Sequence, residues 1–173
     1  EIGVRLVGSE MCIRDSGHIA LAKDMVAPIE VKVVRTHPDA ALPVRGSEYA
    51  AGWDIRAVEQ TIVEFRSSTM VPTGLKVAIP VGYEGQIRAR SSLGRKGLIL
   101  PHSIGTIDAD YRGELFVLMT WIGEGSSYTI EKGERIAQMV IAPIPPSEFT
   151  EVDLESLGDT ERGEGGFGST GRF

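Results

Sequence analysis

Between Arg88 and Lys96 the chain sets four cations, Arg88, Arg90, Arg95 and Lys96, beside two hydroxyls, Ser91 and Ser92. Strand alternation would put Arg88 and Arg90 on one face, and a helical turn beginning at Ser91 or Ser92 would aim free backbone N–H groups at an anion. That combination suits a phosphate cradle. A solvated basic turn accounts for the same residues, because exposed arginines are common. A second block, Gly105 to Glu114, holds Asp108, Asp110 and Glu114 around Tyr111. If the stretch is extended, Asp108 and Asp110 share a face, and two close carboxylates raise the proton affinity of one, as a general base requires. Turn-capping aspartates are the alternative. A third block, Ala51-Gly52-Trp53-Asp54, leads a carboxylate out of a glycine turn into a strand, where Asp54 either satisfies turn donors or serves a ligand. The fourth, Arg162 to Gly171, mixes five glycines with an arginine, an aromatic and the Ser169-Thr170 hydroxyl pair. It is no Walker A loop, since no Gly-Lys-Ser/Thr follows. Its glycines would let amides approach phosphates, with Phe167 free to stack on a base. A flexible linker explains the glycines but not the other residues.

The elements that must carry these blocks are short runs rich in Val, Ile, Thr and aromatics, separated by Gly, Pro, Asp and Ser. Strands are expected at 29–34, 53–57, 61–63, 70–79, 85–90, 98–100, 115–121, 128–130 and 135–142. Turn signals about every ten residues predict an all-β chain, a sandwich, jelly roll or barrel, rather than alternating strands and helices. One short helix is expected after Arg90, capped by Ser91 or Ser92. Pro143 to Pro146 should stop the preceding strand, because proline cannot donate to a ladder. The glycine-rich tail buries too little apolar surface to offset its ordering entropy, so it should be mobile without a ligand.

With 173 residues, 42% of them hydrophobic and 24% charged, the chain has the composition of one globular domain. Its longest apolar run, Leu115 to Ile122, is far shorter than the roughly 20 residues a membrane helix needs, so no membrane role is expected. The single cysteine, Cys12, permits no intrachain disulfide and no four-thiolate zinc site, which suits a reducing cytoplasm. A net charge of −6 argues against nucleic-acid binding, so an anionic ligand must be met by locally clustered arginines. Glu10 to Ser16 can be back-translated onto a transposon end used in preparing sequencing libraries. Residues 1–24 are therefore read as an extension or sequencing artefact, disordered and outside the fold, with Met25 as the natural start.

Taken in order, the blocks resemble the motifs of the homotrimeric dUTPase family: AGWDIRA the first, RSSLG the second, GTIDADYRGEL the third, GERIAQM (Gly133 to Met139) the fourth and RGEGGFGSTG the fifth. Each motif alone is modestly specific; five in order are highly so. The resemblance implies a jelly-roll subunit over 25–150, a C-terminal arm over 151–173 ending in a glycine-rich lid, and a homotrimer with shared active sites. It implies hydrolysis of dUTP to dUMP and pyrophosphate, which limits uracil in DNA and supplies dUMP for thymidylate synthesis. Asp108 would be the base for the water that attacks the α-phosphorus. Arg90, Ser91, Ser92 and Gln138 would hold the triphosphate, joined by Arg162, Gly168, Ser169 and Thr170 from the tail, while Phe167 covers the uracil. His102, Thr106 and Ile107 match positions that recognise uracil and sugar, Tyr111 would pack under the deoxyribose, and Phe116 matches a further nucleotide contact. Asp54 would act through water on a Mg²⁺ ion chelated by the triphosphate. Two departures stand out: His102 replaces a customary asparagine and lacks its amide pair, and Trp53 replaces a smaller or phenolic residue. The competing readings are a dCTP deaminase of the same fold, a binding module without catalysis, and a viral-type jelly roll.

Overall fold

The computed structural model describes residues 27–166. Among them the chain forms twelve strands and two four-residue helices. The strands are β1 (Lys32–Arg35), β2 (Val44–Arg45), β3 (Trp53–Arg56), β4 (Thr61–Glu64), β5 (Thr69–Pro72), β6 (Leu75–Ala78), β7 (Tyr83–Ala89), β8 (Leu98–Ile99), β9 (Gly105–Ile107), β10 (Phe116–Trp121), β11 (Ser127–Ile130) and β12 (Arg135–Pro143). The helices are α1 (Ser91–Gly94) and α2 (Leu154–Leu157). The all-β, jelly-roll-like expectation agrees with this architecture; a second helical turn joins the one anticipated.

All named strand pairs are antiparallel. The largest sheet runs β2-β3-β12-β7-β9, and smaller ones pair β1 with β6, β4 with β11, and β5 and β8 with β10. Nine-residue β12 is the spine of the large sheet, flanked by β3 on one side and β7 on the other. Side chains from every sheet meet in one core, where Ile55, Val63, Leu75, Leu98, Leu115, Met119, Ile130 and Ile136 lie fully buried. The core belongs to a compact unit ending at Pro143; residues from Ile144 onward form a second. Within the second unit α2 is capped by Asp153, whose carboxylate accepts from the Ser156 amide; the Ser156 side chain first, and that amide second, hold it below its usual pKa.

Three sequence expectations need correction. The run 70–79 is two strands, broken at Thr73-Gly74: Gly74 takes φ +67°, and the Thr73 hydroxyl donates to the Leu115 carbonyl at 2.6 Å. A side chain on Gly74 would also press on Ala40, His37 and Val58, so this kink admits only glycine. Neither Ser91 nor Ser92 caps α1; Arg90 occupies that position and makes no side-chain cap bond. As expected, the proline-rich segment stops β12, whose last pairing is Pro143 with Tyr83. Asp108 and Asp110 do not share an extended face, because a turn closes there, with the Tyr111 amide donating to the Asp108 carbonyl at 3.1 Å.

Candidate active site

Strand β12 brings the fourth sequence block between the first two. Gln138 stands opposite Asp54 of β3 and Arg88 of β7. Beyond β7, Arg90 enters α1, which is pinned from below by buried Leu93. After α1 the chain turns through Gly97 at φ +105°, where an added Cβ would lie 2.5 Å from the Gly123 nitrogen. The Gly97 carbonyl accepts from the Ile122 amide, so the basic turn is fastened to the end of β10.

The result is a cleft of about 270 Å³ lined by Gly46, Ala50, Gly52, Asp54, Arg90, Ser91, Ser92, Arg135 and Gln138. Five predicted residues meet in it: Asp54, Arg90, Ser91, Ser92 and Gln138. Asp54 is largely buried and flanked by two guanidiniums, Arg90 Nε at 3.3 Å and Arg135 Nη1 at 3.1 Å. The Arg90 Nη1 donates to the Arg135 carbonyl at 3.1 Å. Gln138 donates to the Ala89 carbonyl at 3.1 Å and lies over Gly52, where any Cβ would sit within 3.0 Å of Gln138 Cβ and Cδ. One carboxylate against two guanidiniums leaves the cleft cationic in a chain of net charge −6, and two exposed serine hydroxyls stand ready to donate. Such a site takes a multiply charged, oxygen-rich anion. Arg88 points elsewhere, its guanidinium donating to Gln86.

A second cleft, also about 270 Å³, is lined by Met70, Thr106, Ile107, Asp108, Tyr111, Glu114, Leu115, Phe116 and Leu118. Predicted Thr106, Ile107, Asp108, Tyr111 and Phe116 meet here, and the two clefts have no lining residue in common. The Tyr111 hydroxyl donates to the Glu114 carbonyl at 2.9 Å, folding the ring across Gly113. Phe116 and Leu118 of β10 stand opposite Pro72 and Met70 of β5, so an apolar wall adjoins a solvent-exposed carboxylate. Apolar walls with a few convergent polar groups suit a base and sugar better than phosphates.

Other expected residues fall outside both clefts. His102 sits in the turn before β9, its Nε2 against Gly105, and Asp110 faces solvent. Arg162 is in the second unit, its Nε donating to the Gly165 carbonyl at 2.7 Å. Phe167, Gly168, Ser169 and Thr170 lie outside the described residues. Sequence reasoning missed Arg135, Met70 and Leu118. Period-two alternation along β12 would have turned Arg135 to the core side with Ala137 and Met139, but a bulge between Arg135 and Ala137 shifts the phase. Met70 and Leu118 gave no chemical signal, being apolar residues in strands.

No helix among the described residues is long and apolar enough to cross a membrane. None of them group three or more His, Cys, Asp or Glu side chains in a way that would hold a metal. Asp54 is the one carboxylate lining the cationic cleft, and both its oxygens face guanidiniums. This donor set does not build a cage; it fits a Mg²⁺ ion that arrives on a polyphosphate and meets the carboxylate through water.

Comparison with known proteins gives this arrangement its relatives. The sequence pattern of the dUTPase family matches residues 38–171. The deoxyuridine 5'-triphosphate nucleotidohydrolase of Syntrophotalea carbinolica is 47% identical over 146 residues, 83% of this chain and 97% of that protein. The Fusobacterium nucleatum protein of the same name is 47% identical over 147 residues, 83% of this chain and 98% of its own. Among solved structures, a mutant of the Staphylococcus bacteriophage 80alpha dUTPase with dUpNHpp superposes with a TM-score of 0.72 at 33% identity, covering 83% of this chain and 99% of that one. A mutant dUTPase from phage phi11 of S. aureus, whose structure describes coordination of a structural Mg(II) ion, gives 0.66 at 26% identity, covering 73% and 99%. Fold, motif convergence and these relatives together place the chain: it belongs to the dUTPase family.

Proposed function

We propose that this chain hydrolyses dUTP to dUMP and pyrophosphate at a site assembled from two copies of itself, within a homotrimer. The observation that carries the reading is the division of the motif residues between two clefts of complementary chemistry. The cationic cleft suits the triphosphate, and the apolar cleft beside Asp108 suits the nucleoside. Strand register argues against one copy doing both. Ile107 stands opposite Gly85 on β7, so Asp108 falls level with Glu84, and from 84 to 90 along an extended strand is about 20 Å. A base that far from Arg90 cannot serve the α-phosphorus of a triphosphate that Arg90 holds. A neighbouring copy must therefore bring its cationic cleft to this Asp108.

In the composite site Arg90, Ser91, Ser92 and Gln138 bind and orient the phosphates from one copy. From another, Thr106 and Ile107 meet the base, with Phe116 beside them, and Tyr111 packs against the sugar. Asp108 orients a water and accepts its proton as the oxygen attacks the α-phosphorus; the bond to the bridging oxygen breaks and pyrophosphate leaves with the electron pair. Mg²⁺, when bound with the triphosphate, supplies charge neutralisation for the leaving group, and Asp54 would hold it through water. The arm beyond 150, with Arg162 and the residues Phe167, Gly168, Ser169 and Thr170, closes over the nucleotide as a lid. His102 takes part in base selection from the turn before β9. Limiting uracil in DNA and supplying dUMP for thymidylate synthesis in the cytoplasm would be the role of such an activity.

Pyrophosphate release measured side by side on dUTP, dTTP, dCTP and UTP tests the reading. Release from dUTP alone is expected. Ammonia from dCTP, or no release from dUTP, would overturn it in favour of the deaminase or of a non-catalytic module.

A further inference from the structure

Asp54, the one carboxylate lining the cationic cleft, is held by two arginines, of which the family resemblance assigns only Arg90 to the phosphates. We propose that Arg135 is a positioning residue for triphosphate binding: it keeps Asp54 charge-paired and in place, which releases the Arg90 guanidinium to the phosphates. The inference rests on reading this cleft as the triphosphate cradle.

Three observations converge on Arg135. The bulge in β12 is the first. Without it Arg135 would share the face of Ala137 and Met139, both buried in the core; with it, Arg135 pairs with Arg56 and comes to the face of Asp54 and Gln138. Bulges beside active sites re-aim side chains in this way. The second is geometry. The Arg135 Nη1 makes a 3.1 Å hydrogen bond to Asp54 Oδ2, whereas Arg90 Nε approaches Oδ1 at the longer 3.3 Å. Each Asp54 oxygen thus has its own guanidinium, so Arg90 can turn to a ligand while Oδ2 stays paired with Arg135. The third is the Arg135 main chain: its carbonyl accepts from Arg90 Nη1 at 3.1 Å, a contact that every variant at this position keeps.

Exposure assigns the two arginines different parts. The Asp54 side chain is 18% exposed and Arg90 24%, while Arg135 is 46% exposed. An incoming triphosphate competes with Asp54 for Arg90. If Arg90 were the only partner, taking it would strand a mostly buried carboxylate, at a cost that opposes binding. Arg135 removes that cost by remaining paired. Substituting it should tighten the Arg90–Asp54 pair and leave less of Arg90 for the phosphates.

The test is calorimetric titration of the intact protein with a nonhydrolysable imido analogue of dUTP, for wild type, Arg135→Gln, Arg135→Lys, Asp54→Asn and the double variant Asp54→Asn with Arg135→Gln. Wild-type dUTP turnover is measured alongside. Losing a hydrogen bond to a charged group predicts about tenfold weaker binding for Arg135→Gln. Because Arg135 acts through Asp54, the same substitution in the Asp54→Asn background should weaken binding by less than about twofold. Arg135→Lys, which keeps the charge without the planar fork, should fall between wild type and Arg135→Gln. It carries the same comparison should Arg135→Gln fail to fold. Wild-type affinity in Arg135→Gln would overturn the proposal. So would equal weakening with and without the Asp54 carboxylate, which would make Arg135 a direct phosphate contact. A wild-type protein that neither binds the analogue nor turns over dUTP would instead overturn the reading of the cleft itself.

Discussion

Gly113 lies hard against Tyr111, one wall of the apolar cleft. Its Cα lies under the Tyr111 ring, so the Cβ of Gly113→Ala would fall 2.8 Å from Tyr111 Cε2 and closer still to Cζ and the hydroxyl. To reach the 3.4 Å of an ordinary contact the ring must retreat by 3.4 less 2.8, or 0.6 Å, at Cε2 and further at its tip. Tyrosine is rigid, and the move breaks its 2.9 Å hydrogen bond to the Glu114 carbonyl. That bond contributes about 0.5–1.5 kcal/mol, and an off-rotamer ring costs about as much again, for a total of about 1–3 kcal/mol. In a chain of this size the melting temperature should fall by about 2–12 °C. If Tyr111 is the surface against which the deoxyribose packs, KM for dUTP should rise about tenfold and discrimination against UTP should shrink, since about 1.4 kcal/mol corresponds to a factor of ten. Pyrophosphate release on dUTP and UTP below the melting range reads both quantities. A folded Gly113→Ala enzyme with wild-type KM and wild-type discrimination would refute the placement of Tyr111 under the sugar.

Three more outcomes are expected. Asp108→Asn should keep analogue affinity and lose at least about a hundredfold in turnover, because it removes the base and preserves the shape; unchanged turnover would remove Asp108 from its role. Burial, reinforced by the hydrogen bond to Glu134, pushes the Tyr128 phenol up to about 12. The unfolded chain therefore loses this proton from about pH 10 while the native state retains it, so the stability is present below pH 10 and drains away as pH rises toward 12. The melting-temperature gap between wild type and Tyr128→Phe should accordingly narrow between pH 8 and pH 11, and a constant gap would contradict the assignment. Truncation after Thr160 should abolish most turnover and leave the β-domain folded and assembled, as read by circular dichroism and sedimentation; loss of assembly would show that the arm is more than a lid.

The parts of the site that were legible in the sequence are those whose residue types carry their own chemistry. Arg90, Ser91 and Ser92 announce anion binding by charge and hydroxyl content, and the structure gathers them with Asp54 and Gln138. Backbone irregularities hid other parts, while Met70 and Leu118 carried no chemical signal at all. Arg135 escaped because a bulge inverts the phase on which alternation depends. The 70–79 run reads as one apolar strand because Gly74 supplies only a positive φ, invisible in a hydrophobicity pattern. Short β9 was buried in a block read for its carboxylates, although Gly105 is enclosed between Ile87 and His102. The separation of the two clefts was beyond local reasoning altogether, since it follows from pairing Ile107 with Gly85 rather than from any spacing along the chain.

That separation yields the most direct measurement. Arg90→Gln and Asp108→Asn proteins, each inactive alone, are mixed in equal amounts, unfolded and refolded together, and assayed for dUTP turnover. If each site takes Asp108 from one copy and Arg90 from a neighbour, random reassembly restores roughly a quarter of the sites, and turnover should return to about that fraction of wild type. A mixture as inactive as its components, under conditions where refolded wild type recovers, would mean that base and phosphate cradle work within a single copy, contrary to the register of β7 and β9.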